Sequence, residues 1–298
     1  MTILKVSHVT TYAYRQPVGF GEHRLLFRPR DSHDQRLLAS ELNISPAPSD
    51  LHWIIDVFGN CVAIVRFEAE AVELRIETAI ALDHTPELMP RFRTEPAAKT
   101  WPLVYEAEVL PDLKPVMRRH YPDHGEVEAW ARQFVIAPGA VAETGHVLMT
   151  MTAAIKDGFR YSRRTDPGTQ TPQLTLSSRT GTCRDFALLM MEAVRSLGFA
   201  ARFVTGYIYV PSRDREEIRG GGATHAWVQV FLPGAGWVEF DPTNGIVGSR
   251  DLIRVGVARD PRHAKPVSGS FIGARKDYTG MTVEVKVTRE REGERTLA

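Results

Sequence analysis

The sequence predicts an α+β protein: an N-terminal antiparallel β-sandwich-like domain, then a domain of helices packed on an antiparallel sheet. Three observations support this prediction. Strand-like apolar segments fill residues 1–85, a proline-rich segment occupies 86–120, and helical periodicity precedes further strands within 121–298. Helices followed by a run of antiparallel strands are typical of the α+β class. We therefore expect a β domain, a connector and a second, larger domain.

Strand-forming residues dominate the first domain and alternate with turn signals. The expected strands are residues 4–14, 37–44, 53–57, 61–67 and 72–80. Many short strands of this kind are typical of an antiparallel sandwich. The connector carries six prolines between Pro86 and Pro115. Because proline interrupts helical hydrogen bonding, we expect this segment to run over the surface without a helix.

Helices are expected at the start of the second domain. Apolar residues at helical spacing predict two short helices, from Val127 to Phe134 and from Val141 to Ile155. The clearest helix spans Thr182–Leu197, where the apolar residues form one stripe. Thr182 is a good N-cap, and Asp185 three positions later is a capping-box acid. Gly198 is expected to end this helix.

Strands make up the rest of the second domain. The sequence predicts strands at Ala200–Val210, Thr224–Leu232 and Trp237–Asp241, with the last two joined by a short turn. Two further apolar segments, Val255–Val257 and Met281–Thr288, are expected to close the same sheet. The segment between residues 162 and 179 is expected to be a polar loop.

The composition is typical of a globular protein. Hydrophobic residues make up 43% of the 298 residues, and 37 lysines and arginines face 36 aspartates and glutamates. This balance argues against nucleic acid or an anionic membrane surface as a partner, because both select for an excess of basic charge. No secretory signal is visible at the start, so we expect a cytoplasmic location.

The two cysteines lie in different surroundings. Cys61 follows a Gly-Asn turn between two strand-like segments, so we interpret it as structural packing. Cys183 falls in the first turn of the clearest helix, where free backbone N–H groups and the helix dipole stabilise a thiolate. A small buried residue on an apolar helix is an equally good interpretation of Cys183 taken alone.

A nucleophilic cysteine needs a base, and the base needs a group that orients it. His225 opens a strand, and Asp241 ends the next strand at the same end of the hairpin. Pairing Leu232 with Trp237 would send Asp241 to the wrong face of the sheet. Pairing Leu232 with Gly236, or a bulge in the hairpin, would instead bring Asp241 and His225 to one face. The hypothesis of a Cys-His-Asp triad therefore requires this shift of register.

Three segments resemble the motifs of the transglutaminase-like superfamily, in its bacterial branch of candidate cysteine proteases. They are GTCRDFA at 181–187, THAW at 224–227 and GWVEFDPTN at 236–244. The first 85 residues also resemble the bacterial transglutaminase N-terminal region. The resemblance implies a papain-like core with Cys183 as nucleophile, His225 as general base and acid, and Asp241 orienting the imidazole.

The same resemblance implies an acyl-transfer mechanism through a thioester on a protein or peptide substrate, with no cofactor. It points to an aromatic oxyanion donor upstream of the cysteine, for which Tyr161 is the candidate. Trp227 and Trp237 are candidates for lining the acyl-donor cleft, although aromatic strand residues commonly serve only in packing. The sequence has no Asp-rich loop for calcium, which favours hydrolysis over amine cross-linking. The charged loop at 211–219 is a candidate lid, or simply a solvated surface loop.

Other functions remain open from the sequence. A catalytically degenerate protein-binding module would fit an inert Cys183 thiol. An arylamine N-acetyltransferase-like enzyme would share the triad and would form its thioester from acetyl-coenzyme A. A metal site of Cys183, His225 and Asp241 is a weaker hypothesis because no clear fourth ligand is present.

Overall fold

A computed structural model describes residues 2–86, 93–135, 142–164, 168–209 and 224–290 of the chain. The described residues form an α+β fold, as the sequence predicts. The elements up to the start of the connector are β1 (Thr2–Phe20), β2 (His23–Arg28), β3 (Gln35–Ser45), β4 (Asp50–Ile55), β5 (Cys61–Arg66) and β6 (Ala71–His84). The helices are α1 (Leu110–Met117), α2 (Glu126–Arg132), α3 (Thr144–Gly158), α4 (Pro172–Ser178) and α5 (Cys183–Ser196). Among these described ranges, no helix is long and apolar enough to cross a membrane.

Short strands and the second sheet complete the chain. They are β7 (Arg160–Tyr161), β8 (Thr180–Gly181), β9 (Ala201–Ile208), β10 (His225–Leu232), β11 (Gly236–Asp241), β12 (Ile246–Val247), β13 (Leu252–Ala258), β14 (Val267–Ser268), β15 (Phe271–Ile272) and β16 (Tyr278–Arg289). The central sheet has the order β12-β11-β10-β9-β13, and all of its neighbouring pairs are antiparallel.

Two sheets form the expected sandwich. One has the order β15-β1-β6-β3 with β16 also paired to β1, and the other has the order β14-β2-β5-β4. Their inner faces share an apolar cluster to which Phe20, Leu25, Val65 and Ile76 contribute. The alternation seen in the sequence therefore reflects one face of each strand turned toward this core.

The last strand corrects one prediction from the sequence. Met281–Thr288 was expected to close the second sheet, but β16 pairs antiparallel with β1, from Leu4 opposite Arg289 to Tyr14 opposite Tyr278. Alternating residues identify a strand but do not identify its partner. The last strand of the range 121–298 therefore belongs to the sandwich sheet that contains β1 and not to the central sheet.

Two short helices were not expected. Helix α1 lies within the connector and carries Pro111 in its first turn, where proline removes no helical hydrogen bond. Pro115 lies inside this helix, which ends two residues later. Helix α4 lies in the expected polar loop and begins with Pro172. The side chain of its N-cap Thr171 accepts a hydrogen bond from the backbone N–H of Leu174 at 3.2 Å.

Helix α5 packs against the central sheet and confirms the predicted stripe. Its apolar residues and those of β10 belong to one large core cluster, which includes Phe186, Met190, Val228 and Val230. Gly198 follows the helix with φ of +91°, a conformation that favours glycine. The helix is therefore fixed along its length, which fixes the position of its first residue, Cys183.

Two amides of the sandwich satisfy the outer edge of β13. The side chain of Gln35 accepts from the backbone N–H of Arg254 at 3.0 Å and donates to its carbonyl at 2.8 Å. Asn60 does the same at Val257, accepting at 2.8 Å and donating at 2.7 Å. These side chains occupy the place of a neighbouring strand on an edge that would otherwise expose unpaired backbone groups. They lock the sandwich against the central sheet.

Candidate active site

The start of α5 is built to hold Cys183 in one position. The Asp185 carboxylate is fully buried and accepts hydrogen bonds from the Thr182 N–H at 2.8 Å and the Thr182 hydroxyl at 2.9 Å. It also accepts from the Gln170 N–H at 2.7 Å, which ties the preceding loop to the helix. A Cβ at Gly181 would lie 2.8 Å from the Cβ of Asp185, so only glycine fits there. Cys183 itself is 6% exposed.

The hairpin of β10 and β11 has the register that the triad hypothesis requires. Leu232 pairs with Gly236, and the ladder continues to Val228 opposite Phe240. Asp241 therefore reaches the same end of the hairpin as His225. The Nε2–H of His225 donates to Oδ2 of Asp241 at 2.8 Å, and both side chains are buried. The register prediction is confirmed.

Asp241 is held by two further donors. Its Oδ1 accepts from the Thr243 N–H at 2.9 Å, and its Oδ2 accepts from Nδ2 of Asn244 at 2.8 Å. Burial alone would raise the pKa of this carboxyl, but the charge and hydrogen bond of His225 and the two donors lower it. Asp241 is therefore a carboxylate that fixes the orientation and tautomer of the imidazole.

The imidazole of His225 lies between Asp241 and Cys183. Burial disfavours its charged form, but Asp241 and then Cys183 outweigh burial and raise the pKa of His225 to about 10. Nδ1 of His225 is buried and makes no well-formed hydrogen bond to the described residues. Since Asp241 occupies Nε2, Nδ1 is the nitrogen available to Cys183. With its pKa raised, the imidazole carries a positive charge at neutral pH.

Tyr161 lies beside the strand that leads into Cys183. It pairs in parallel with Gly181, two positions before the cysteine, and its ring packs at 6.5 Å from that of Phe186. Burial, reinforced by the negative charge of Cys183, raises the pKa of Tyr161 to about 12. The phenol therefore keeps its proton at neutral pH and is able to donate a hydrogen bond near the cysteine.

Comparison with known families decides how this site is classified. Residues 131–242 match the model of the transglutaminase-like superfamily, and residues 4–82 match that of the bacterial transglutaminase-like N-terminal region. The first match includes Cys183, His225 and Asp241. The chain is therefore similar to the transglutaminase-like superfamily over the segment that carries the candidate site. Its fold class and the resemblance stated from the sequence are thereby confirmed.

The chain is also similar to relatives of comparable length. The chain is 28% identical to an uncharacterised protein of Mycobacterium tuberculosis, over 89% of this chain and 86% of that one. It is also 28% identical to an uncharacterised protein of Mycobacterium leprae, over 96% and 98%. The crystal structure of a candidate cysteine protease from Cytophaga hutchinsonii aligns over 96% of this chain and 90% of that one, with TM-score 0.69 and 19% identity. That similarity shows a shared fold.

Trp227 does not line a cleft in the transglutaminase-like core, which corrects the expectation from the sequence. Its indole is fully buried, and its N–H donates to the carboxylate of Glu239. Gly206, opposite His225 on β9, leaves room for the ring, because a Cβ there would lie 2.8 Å from the indole. Trp227 is therefore a packing residue, held in a polar network behind the histidine.

Trp237 lies in a cavity that none of the three triad residues lines. Its ring packs against Phe231 and under the guanidinium of Arg202, 4.1 Å from the ring centroid. The expectation that it lines the cleft beside Cys183 is therefore not met. The candidate lid at 211–219 and the glycines at 220–222 lie outside the described residues.

Three residues that support the candidate site escaped the sequence argument. Asn244 was quoted only as part of a motif, although its side chain binds Asp241 and lies 3.4 Å from Nε2 of His225. Arg184 donates to the carbonyls of Pro261 and Ala264, which anchors the helix start to the segment after β13. Glu239 is a charged residue in an apolar strand, and that contrast was the available signal for a buried partner.

Proposed function

We propose that this protein is a cysteine-nucleophile amide or peptide hydrolase that works through a thioester. The observation that best supports this is the placement of one imidazole between two partners. Nε2 of His225 binds Asp241 at 2.8 Å, and Cys183 at the start of α5 also raises the pKa of the same imidazole. A thiolate, a proton carrier and an orienting carboxylate are the groups that acyl transfer needs.

In the first half of the reaction, the Cys183 sulfur attacks the carbonyl carbon of the substrate amide. The tetrahedral intermediate collapses when the C–N bond breaks and His225 gives its proton to the leaving amine. The acyl group remains on sulfur as a thioester. In the second half, water attacks the thioester, His225 takes a proton from that water, and the carboxylic acid leaves as the thiolate returns.

Charge develops on the carbonyl oxygen in both halves. The backbone N–H of Cys183 is one donor, since N–H groups in the first turn of a helix have no partner within the helix. The phenol of Tyr161 is the proposed second donor. Its raised pKa keeps the proton in place for this role, because the hydroxyl stays neutral throughout the pH range of the reaction.

Water is proposed as the acyl acceptor, and a protein or peptide as the donor. Transfer to an amine would use the same thioester and differ only in the second attacking group. A catalytically degenerate binding module is the alternative, and it predicts that no thioester forms.

The deciding experiment uses a pool of peptides that contain glutamine and internal amide bonds. Wild-type protein is incubated with the pool, and mass spectrometry detects deamidated glutamine, new termini and an acyl adduct on Cys183. We expect turnover in the wild type and in Cys61→Ala, and none in Cys183→Ala, with all three retaining the same melting temperature. Turnover in Cys183→Ala would refute the mechanism. Loss of turnover in Cys61→Ala alone would show that Cys61, and not Cys183, is the nucleophile.

A further inference from the structure

A second cavity lies between the sandwich and the central sheet, away from the triad. Its volume is about 450 Å³, and residues of the first domain and of β9, β11 and β13 line it, including Asp34, Arg202, Trp237, Glu239 and Arg254. Cavities of this size at a junction between domains are common ligand sites. The charged groups on its wall determine what it would accept.

The acidic groups of the cavity already have hydrogen-bond partners within the protein. Glu239 accepts from the side chains of Trp227, Gln229 and Arg254. Asp34 accepts from the Ser32 hydroxyl at 2.6 Å and from Arg254 at 3.3 Å. Arg254 donates from one terminal nitrogen to Glu239 at 2.6 Å and from the other to Asp34 and Ser32. This set of two carboxylates and one guanidinium keeps one net negative charge, which the charge of the nearby Arg202 balances.

Arg202 differs from Arg254 in the hydrogen bonds of its guanidinium. Its Nε donates to Oε1 of Gln229 at 2.6 Å, and its guanidinium stacks on Trp237. Within the described ranges, its two terminal nitrogens make no hydrogen bond. Burial lowers the pKa of Arg202 to about 10, so the side chain is still charged at neutral pH. The two terminal nitrogens are therefore donors that a ligand in the cavity could use.

We propose that this cavity binds the carboxylate group of a small ligand, with the terminal nitrogens of Arg202 as its donors. A planar guanidinium matches a carboxylate with two parallel hydrogen bonds. The Trp237 ring and the bond to Gln229 fix the plane of that fork in advance, which lowers the ordering cost of binding. Arg93 also lines the cavity, so three arginines face two carboxylates there, and the one excess positive charge suits a single carboxylate better than a phosphate dianion. The proposal does not depend on the chemistry of Cys183.

The test is isothermal titration calorimetry on the full chain. The probes are succinate, its uncharged counterpart succinamide, and inorganic phosphate, each at constant ionic strength. The variants are Arg202→Gln and Arg202→Lys, because lysine keeps the charge and loses the fork. Arg28→Gln is the matched control, since Arg28 also lies over an indole, that of Trp53 at 5.8 Å, but outside this cavity. Circular dichroism melting shows that each variant is folded.

We expect saturable binding of succinate to the wild type and to Arg28→Gln, at least about tenfold weaker binding to both Arg202 variants, and none of succinamide. Binding that survives in folded Arg202→Lys would refute the role of the fork. Tighter binding of phosphate than of succinate would refute the carboxylate assignment. Absence of saturable succinate binding to the wild type would refute the site.

Discussion

The indole of Trp227 stacks on the imidazole of His225, with ring centroids 5.9 Å apart and planes inclined by 30°. The indole is fixed in position, because its N–H donates to Glu239, which pairs with Arg254 at 2.6 Å. Arg254 in turn binds Ser32 and Asp34 of the first domain. The orientation of His225 therefore depends on a buried network that reaches into the sandwich.

Replacing Glu239 is expected to disturb both folding and the histidine. Glu239→Gln leaves Arg254 with only Asp34 of its two anions, and losing one partner of a buried pair costs about 3 kcal/mol. Urea unfolding measures this loss. The control is Glu77→Gln, because the Glu77–Arg75 pair is exposed and such pairs contribute less than about 1 kcal/mol. Equal losses in the two variants would show that the network does not stabilise the core.

The His225–Asp241 pair predicts a pH dependence of stability. The pKa of His225 is raised from 6.5 to about 10, so the pair contributes its full stability below pH 6.5 and loses it as the pH rises through 10. The pKa of Asp241 is lowered, so its contribution is present above its ordinary value and lost in acid. The unfolding free energy of wild type minus that of Asp241→Asn is expected to shrink by more than about 1 kcal/mol between about pH 6.5 and pH 10.

A second background isolates this effect. In His225→Gln the imidazolium is absent, so adding Asp241→Asn to this variant is expected to change the unfolding free energy by the same amount at every pH in that range. Urea unfolding at about pH 6.5, 8 and 10 measures the wild type, the two single variants and the double variant. A difference that stays constant in the wild-type background as well would contradict the assigned protonation states.

Tyr161 is expected to act in the transition state rather than in substrate binding. Tyr161→Phe removes only the hydroxyl, and loss of one oxyanion donor lowers kcat by about 100-fold. KM on the same peptide is expected to change by less than about threefold, because the ground-state carbonyl needs this donor less. Tyr278→Phe is the matched control, since that residue is exposed on β16. An unchanged kcat would leave Tyr161 as a packing residue.

Local patterns in the sequence were sufficient for the elements that carry the candidate triad. The apolar stripe of α5 and its capping box placed Cys183 at a helix start, and the hairpin of β10 and β11 has the register that the triad hypothesis required. Those signals are local, because each depends on residues within a turn or two of one another. They are also the signals on which the family resemblance depends.

Contacts between distant segments were not predictable in this way. A strand with the alternating pattern of Met281–Thr288 would fit beside any sheet edge, and only the folded sandwich shows that its partner is β1. Trp227 was a candidate for the cleft, but Glu239 satisfies its polar N–H inside the protein, so the indole is free to lie in the core. Helix α1 escaped notice because prolines in a first turn cost little.

We propose that Cys183 and His225 form a thiolate–imidazolium pair. The most direct measurement is the rate of Cys183 alkylation by iodoacetamide between about pH 5 and pH 9, followed by peptide mass mapping, in wild type and His225→Ala. The pair predicts fast alkylation of wild-type Cys183 already near about pH 6, lost at that pH in His225→Ala and recovered only at higher pH. Identical profiles for the two proteins, both following an ordinary thiol, would contradict the claim.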